Sequence, residues 1–95
     1  MLEKEIEKIL VQGVKALGGK AYKWVSPGNN GVPDRIVILP RKVPVFVELK
    51  IESGSLTALQ KVQIQKLESL GQKVRVLHGE EEVRDFLNEC QTDGI

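Results

Sequence analysis

Residues 34–50 read DRIVILPRKVPVFVELK, and this stretch decides the fold of the 95-residue chain. It contains two apolar runs separated by a short segment that begins at Pro40, a pattern typical of two β-strands joined by a turn. Asp34 opens the first run, and Glu48 and Lys50 close the second. Charged residues among neighbours this apolar indicate that one end of the predicted hairpin carries a polar site.

The length of the turn determines which residues of the two strands face each other. If residues 40–42 form the turn, Leu39 lies opposite Val43, and the same register places Asp34 opposite Glu48. A slip of one residue would move Asp34 to the other face of the sheet. Like charges directly opposite each other are unfavourable, unless a cation lies between them. Because Mg²⁺ and Mn²⁺ prefer carboxylate oxygens, the register predicts a metal site.

Lys50 follows Glu48 by two residues, so strand alternation predicts both side chains on one face, roughly 6.6 Å apart along the strand. Leu49 then faces the opposite side, but its backbone carbonyl is a further candidate metal ligand. Carboxylates, a metal and a lysine suit phosphodiester hydrolysis, in which the lysine stabilises developing charge or orients the attacking water. Taken alone, Glu48 and Lys50 are more typical of an exposed ion pair, and Asp34 of a turn.

Hydrophobic spacing and turn-forming residues predict three helices and two further strands around this hairpin. The predicted helices cover residues 3–17, 56–70 and 80–90, and the predicted strands cover residues 21–26, 34–39, 43–51 and 72–78. This α-β-β-β-α-β-α order predicts an α/β fold with a mixed central sheet flanked by helices, as one domain over residues 1–95. The connection from the third strand through the second helix to the fourth strand predicts a parallel crossover.

The sequence also predicts how the second helix begins and packs, and how the chain ends. Ser55 is a suitable N-cap for the second helix, and the core side of that helix is predicted to hold Leu56, Leu59, Ile64, Leu67 and Leu70. Residues 91–95 are expected to form a frayed tail.

Two helical side chains are candidates for completing the site. Glu7, or alternatively Glu3, lies toward the apolar side of the first helix and could reach the metal directly or through a water. Gln60 lies one turn into the second helix, where it could hydrogen-bond the lysine, the water or a phosphate. Each of these residues alone is more typical of solvent-exposed surface, so the assignment depends on their combination with the hairpin.

The composition narrows the class of protein. A single cysteine, Cys90, excludes an intrachain disulfide and indicates a reducing compartment. No apolar run approaches the length of a membrane span, and no glycine-rich nucleotide-binding motif is present. The net charge is +1, but residues 1–78 hold 13 basic and 7 acidic residues, and a basic body of this kind can attract phosphates.

The combination of these motifs resembles the PD-(D/E)xK nuclease superfamily, and its finer pattern resembles the virus-type replication-repair nuclease (VRR-NUC) branch. The resemblance runs from about residue 3 to residue 83. The residues that carry it are Lys23, Ser26-Pro27-Gly28, Gly31-Val32-Pro33-Asp34-Arg35, Phe46-Val47-Glu48-Leu49-Lys50, Leu56, Gln60 and Leu70-Gly71. A bare Pro-Asp…Glu-x-Lys pattern is a weak signal, but the Gly-Val-Pro-Asp-Arg run, the later glutamine and the preceding helix make it specific.

The resemblance implies a restriction-endonuclease-like core and a role for each site residue. The implied catalytic set is Asp34, Glu48, Lys50, Glu7 and Gln60, with Glu3 as the alternative helical acid. The candidate metal ligands are Asp34, Glu48, the Leu49 carbonyl and Glu7, the last directly or through a water. The candidate contacts to DNA near the site are Lys23, Arg35, Lys61 and Lys66.

The function that the resemblance implies is Mg²⁺- or Mn²⁺-dependent hydrolysis of DNA, without a nucleotide cofactor. Small stand-alone members of the family are similar to Holliday-junction resolvases, so the implied partners are branched or junction DNA and a second copy of the chain. The implied setting is DNA replication, recombination or repair in the cytoplasm of a phage-infected or bacterial cell. Two alternatives stay open: a non-catalytic nucleic-acid-binding or assembly module on the same fold, and an RNA endonuclease.

Overall fold

A computed structural model describes residues 1–92 of the chain. In this part of the chain, three helices and four strands follow one another in the predicted order. The elements are α1 (Glu3–Ala16), β1 (Lys20–Lys23), β2 (Arg35–Ile38), β3 (Val45–Lys50), α2 (Ala58–Ser69), β4 (Lys73–His78) and α3 (Gly79–Gln91). No helix within residues 1–92 is both long enough and apolar enough to cross a membrane.

The four strands form one mixed sheet in the order β1-β2-β3-β4. β2 is antiparallel to both β1 and β3, whereas β4 runs parallel to β3, an arrangement that the long connection through α2 allows. The β2–β3 register pairs Arg35 with Val47 and Ile36 with Phe46. This is the register that the turn length predicts, so the hairpin is confirmed.

One face of the sheet packs against α1 and α3 and forms the hydrophobic core. The buried strand residues on this face are Ala21, Val37, Val45, Val47, Leu49 and Leu77. The two helices contribute Ile6, Leu10, Val14, Val83, Phe86 and Cys90. The inward residues of α1 and α3 thus recur at helical spacing, and Cys90 is buried as a free thiol.

The opposite face of the sheet is only partly covered, because α2 packs mainly over β4. Ile64 is buried, but two leucines predicted to face the core, Leu59 and Leu70, are 56% and 74% exposed. The predicted N-cap is also wrong: Thr57 rather than Ser55 caps α2, which begins two residues later than expected. One helix covering one flank of the sheet leaves little apolar surface for its other leucines to contact.

The ends of the strands differ from the prediction where the loops begin. β1 ends at Lys23 instead of residue 26, and the Trp24 N–H then donates to the Asp34 carbonyl at 3.0 Å. β2 starts one residue after Asp34. At the other end of the chain, α3 continues through Gln91, so this residue is helical; residues 93–95 of the predicted tail lie outside the described residues.

Candidate active site

Asp34 lies at the open end of the β2–β3 hairpin, one residue beyond the Arg35–Val47 pair. Its carboxylate accepts a hydrogen bond from the Leu49 N–H, with 2.9 Å between Oδ2 and the nitrogen. The Asp34 carbonyl accepts a hydrogen bond from the Trp24 N–H. Backbone groups of β3 and of the residue that follows β1 therefore hold Asp34 from both sides. Asp34 is therefore fixed beside Glu48, as the register predicts.

Glu48 is the one charged residue that is buried within residues 1–92, with 2% of its surface exposed. Its pKa rises from an ordinary 4.5 to about 8, first because burial penalises the charged form and next because Asp34 lies beside it. A hydrogen bond shared with Asp34 acts in the same direction, whereas the Lys50 ammonium lowers the pKa. Without a cation, Glu48 therefore retains its proton near neutral pH.

Two polar side chains meet the same oxygen of Glu48. The Lys50 Nζ lies 3.8 Å from Glu48 Oε2, and the Gln60 amide donates to this oxygen at 3.2 Å. The Lys50 side chain is only 15% exposed, so it is largely shielded from solvent beside Glu48. The sequence-predicted group of Asp34, Glu48, Lys50 and Gln60 is thus assembled in one place.

The Gln60 amide is oriented by the first turn of α2. Its Oε1 accepts from the Thr57 N–H at 2.9 Å, and its own backbone N–H donates to Thr57 Oγ1 at 3.2 Å. This reciprocal capping box leaves the Nε2 group to face Glu48. Thr57 was not among the residues predicted for the site, although the Thr-x-x-Gln pattern at the start of a helix is a signal that could have identified it.

The two acids predicted from the first helix, Glu7 and Glu3, have different surroundings. The Glu7 carboxylate pairs with Arg35, with 2.9 Å between Oε2 and Nε, and Arg35 also donates to the Ala21 carbonyl at 3.1 Å. Glu3 is exposed and makes no ion pair within residues 1–92, yet its charge contributes to the raised pKa of Glu48. Both acids line a cavity of about 170 Å³ beside the site, together with Lys23, Trp24, Asp34 and Leu49.

Gly31 fits the loop before Asp34 against the start of α2. Its φ of +92° is in the region that favours glycine, and a Cβ at this position would lie 2.7 Å from the backbone carbon and oxygen of Leu59. Gly31 therefore allows the loop to approach the helix turn that carries Gln60. Gly31 belongs to the Gly-Val-Pro-Asp-Arg motif, but its contact with Leu59 was not predicted from the sequence.

The basic residues predicted to contact DNA differ in how exposed their side chains are. Lys23 lines the cavity, and Lys61 and Lys66 are exposed on α2. Arg35 has only 17% of its side chain exposed and is bound to Glu7, so its first role is structural. At the other end of the hairpin, Lys42 donates to the Cys90 carbonyl at the end of α3.

The acid pair fits a divalent cation on chemical grounds. Within residues 1–92, no three carboxylate, histidine or cysteine side chains are placed to hold a metal as they stand. Asp34 and Glu48 nevertheless form a close pair of carboxyls, one of them buried, whose mutual repulsion is apparent in the raised pKa of Glu48. A hard cation between them would remove that repulsion and displace the shared proton.

The chain is similar to a phage protein in sequence and to solved structures in fold. A protein named "Putative nuclease p44", from Acyrthosiphon pisum secondary endosymbiont phage 1, is 46% identical over 79 residues, which cover 83% of this chain and 85% of that protein. A solved structure described as "VRR_NUC domain" matches with a TM-score of 0.84 and 31% identity, over 90% of this chain and 94% of that one.

A second solved structure, described as "VRR_NUC domain protein", matches with a TM-score of 0.75 over 94% of this chain and 87% of that one. Its identity to this chain is 18%, so it shows likeness of fold alone. No protein-family model matches the chain. The two structural matches confirm the restriction-endonuclease-like architecture expected from the sequence.

Proposed function

This chain belongs to the VRR-NUC family of nucleases, and on that premise we propose that it is a metal-dependent, structure-selective DNA endonuclease. The observation that carries the proposal is the pairing of Asp34 with a buried Glu48, beside a lysine and an oriented amide. This group is costly to bury unless a cation and a phosphate complete it. Mg²⁺ or Mn²⁺ is the cation class that the all-oxygen donor set favours.

Asp34 and Glu48 are the proposed carboxylate ligands, with the Leu49 carbonyl as a third oxygen donor. When bound, the metal would supply Lewis-acid polarisation of the phosphate and lower the pKa of the attacking water. Asp34 is already held by the Leu49 N–H, so one of its oxygens is fixed while the other remains available. Binding therefore needs little rearrangement of the hairpin.

Lys50 and Gln60 act on the groups around the metal. The Lys50 ammonium, 3.8 Å from Glu48 Oε2, stabilises negative charge that develops on the phosphate and orients the water. Gln60 holds Glu48 in place through its Nε2 group, so that the carboxylate keeps its direction when the shared proton leaves. Lys50 thus stabilises charge, whereas Gln60 positions Glu48.

The helical acid of the site is either Glu7 or Glu3, and their contacts distinguish them. Glu7 is bound to Arg35, whereas Glu3 has no ion pair within the described residues 1–92 and is the freer of the two to approach a cation. Glu3→Gln and Glu7→Gln variants test the choice through Mn²⁺ affinity measured by calorimetry. The substitution at the true metal-facing acid weakens binding, directly or through a lost water contact, and the other changes it little.

The proposed substrate is branched DNA of the Holliday-junction type, cut by a homodimer of this single domain in the cytoplasm of a phage-infected or bacterial cell. A two-fold dimer presents two identical sites, which suits paired cuts in symmetric strands. The small size of the fold and its relationship to a phage protein support this part of the proposal. Sedimentation at micromolar concentration measures the oligomeric state, and a monomer there would argue against paired cleavage.

The deciding experiment is a cleavage assay on blunt duplex, flap, splayed-arm and four-way-junction DNA, with matching RNA substrates, in Mg²⁺, Mn²⁺ or EDTA. The wild type should cut a branched DNA with a divalent metal and cut nothing in EDTA. Lys50→Ala should reduce the rate by at least about a hundredfold, a typical size for loss of one charge-stabilising group.

The matched control for that variant is Lys73→Ala. Lys73 is also a lysine of the sheet, but it is exposed and pairs with Val45 at the other end of β3. Its removal should leave the rate near the wild-type value. If the wild type binds DNA but cuts nothing with either metal, the chain is a binding module and the catalytic proposal fails.

A further inference from the structure

The small cavity beside the site contains one side chain, Trp24, that the hydrolytic mechanism does not use. It encloses about 170 Å³ and shares Asp34 and Leu49 with the proposed metal site. Pockets that enclose whole small molecules are typically about 300–1,000 Å³. This cavity is therefore suited to one ring or one small group of a larger ligand that lies across its mouth.

Trp24 forms an aromatic wall of this cavity. Its ring packs against Phe46 with 5.2 Å between centroids and a 51° tilt, so its orientation is fixed. Its backbone N–H donates to the Asp34 carbonyl, which ties the residue directly to a proposed metal ligand. Because the side chain is only half-buried, the rest of its surface remains available to a ligand.

The charges around the cavity indicate which part of a nucleic acid fits there. Asp34, Glu3 and Glu7 are all acidic, and only Glu7 is neutralised by an arginine among the residues 1–92 that the structure describes. Apart from the phosphate that the proposed cation receives, a second phosphate inside the cavity would be repelled by the remaining charge of these acids. An uncharged base would not be repelled, and Lys23, exposed beside Trp24, lies where a phosphate outside the cavity could be met.

We propose that Trp24 and Lys23 form a subsite for an unpaired nucleotide next to the scissile phosphate, with its base stacked on the indole ring and its phosphate bound by the lysine. The inference rests on the proposed function, because that function brings a nucleic-acid strand to Asp34 and Glu48. A paired base within a duplex is already stacked on both sides and cannot enter. The subsite thus explains selectivity for branched DNA by a base contact rather than by the overall shape of the junction.

Trp24 is the only tryptophan in the sequence, so intrinsic fluorescence reports on this subsite directly. The probes are a DNA hairpin with a short single-stranded thymine overhang and the same hairpin with a blunt end. Titration in Ca²⁺ buffer supplies a hard cation to the carboxylates, and a gel confirms that the probe stays intact. The overhang probe should quench the emission to saturation, and the blunt probe should not. Equal quenching by both probes, or none by either, overturns the subsite.

Variants test the same contact with labelled DNA and anisotropy. Trp24→Leu should weaken binding of the overhang probe by at least about fivefold, the lower limit for loss of one stacked base, and leave the blunt probe unchanged. Trp24→Phe keeps an aromatic ring and should retain most of the difference between probes. Lys23→Ala should weaken both probes and lower the salt dependence by about one unit of slope.

The matched control is Tyr22→Leu. Tyr22 is another partly exposed aromatic residue close by in the chain, 49% exposed, but it lies under Lys20 and does not line the cavity. Its loss should leave both affinities unchanged, and thermal melting verifies that every variant is folded. If Trp24→Leu and Tyr22→Leu behave alike, the stacking proposal is wrong.

The two proposals fail in different ways. Quenching by the overhang without cleavage in any metal would remove the nuclease mechanism and leave the subsite. Cleavage in which Trp24→Leu retains the wild-type ratio between overhang and blunt substrates would remove the subsite and leave the mechanism.

Discussion

The two faces of the central sheet use the same strands for different purposes. On the face against α1 and α3, Val45, Val47 and Leu49 of β3 are buried among aliphatic and aromatic side chains. On the face that α2 partly covers, the alternate residues of β3 are Phe46, Glu48 and Lys50. One strand thus supplies the hydrophobic core and the proposed active site.

The difference shows how a small domain separates stability from chemistry. A buried apolar face contributes roughly 25 cal/mol for each Å² removed from water, whereas a buried acid pair opposes folding. Strand alternation keeps these requirements on opposite sides, so substitutions on one face need not affect the other. Substitutions on each face, and a change of pH, test whether the two faces are independent.

Phe86→Ala tests the core face. The ring is fully buried beneath the sheet, so its removal should lower the free energy of unfolding by about 3–5 kcal/mol. Glu48→Gln tests the other face: it replaces the buried acid with a neutral amide of similar size, should preserve or raise stability, and should abolish cleavage. Urea unfolding and the cleavage assay measure both effects. A Glu48→Gln protein as unstable as Phe86→Ala would mean that the two faces are not separable.

The stability of the metal-free protein should depend on pH through Glu48. Its pKa is about 8 in the folded chain and near 4.5 when unfolded, so the folded state binds more protons between these values. The stabilisation of the folded chain by protonated Glu48 is full below about pH 4.5. It is lost as the pH rises to about 8, which lowers the free energy of unfolding by up to a few kcal/mol. Unfolding in EDTA across this range measures the loss.

Glu48→Gln is the control for the pH dependence and should flatten the curve between these values. Glu89, whose pKa is lowered by its hydrogen bond to Arg75, affects stability only in the acid range below this window. Added Mn²⁺ should stabilise the wild type most at the alkaline end, where the acid pair is charged. A wild-type curve as flat as that of Glu48→Gln would contradict the proton-sharing pair.

Gly31→Ala and Gly71→Ala form a matched pair on the α2 side. Both glycines have positive φ, +92° and +80°, but a Cβ at Gly31 meets the Leu59 backbone, whereas one at Gly71 meets nothing within 4 Å. Gly71→Ala should cost about 1 kcal/mol from backbone strain alone. Gly31→Ala should cost at least about twice as much and slow cleavage, because it displaces the helix turn beside Gln60. Equal losses in thermal melts would show that the Leu59 contact is unimportant.

Thr57→Ala should have the smallest effect on stability. It removes the side-chain cap of α2 and should cost about 1 kcal/mol, whereas Thr57→Ser keeps the hydroxyl and should cost little. The rate of cleavage should fall by a few fold, because the turn that orients Gln60 loosens. A rate unchanged in Thr57→Ala would show that Gln60 needs no help from the cap.

The hairpin and its register are predictable because turn length and strict alternation leave few alternatives. Asp34, Glu48 and Lys50 could therefore be placed together on the basis of their spacing alone. The ion pair of Glu7 with Arg35 could not, since it joins residues 28 positions apart on separate elements. The exposure of Leu59 and Leu70 was also beyond a local pattern, because helical spacing marks an apolar side but not how much of the sheet lies beneath it.

Trp24 illustrates the same limit at the site. Its aromatic side chain and its apolar neighbours favoured a strand position. Only the early end of β1 and the packing against Phe46 leave its ring half-buried beside Asp34. Loop geometry of this kind depends on contacts between distant parts of the chain and has no periodic signal.

The short distance along the chain between the two acids has a kinetic consequence. Asp34 and Glu48 are joined by one hairpin, an element that typically closes in about 1–10 μs, whereas β4 can pair with β3 only after the chain has passed through α2. The repulsive pair therefore meets early, before the rest of the sheet can compensate for it. Refolding of the metal-free chain should slow as the pH rises, and the hairpin that carries the proposed site would then also limit the rate of folding.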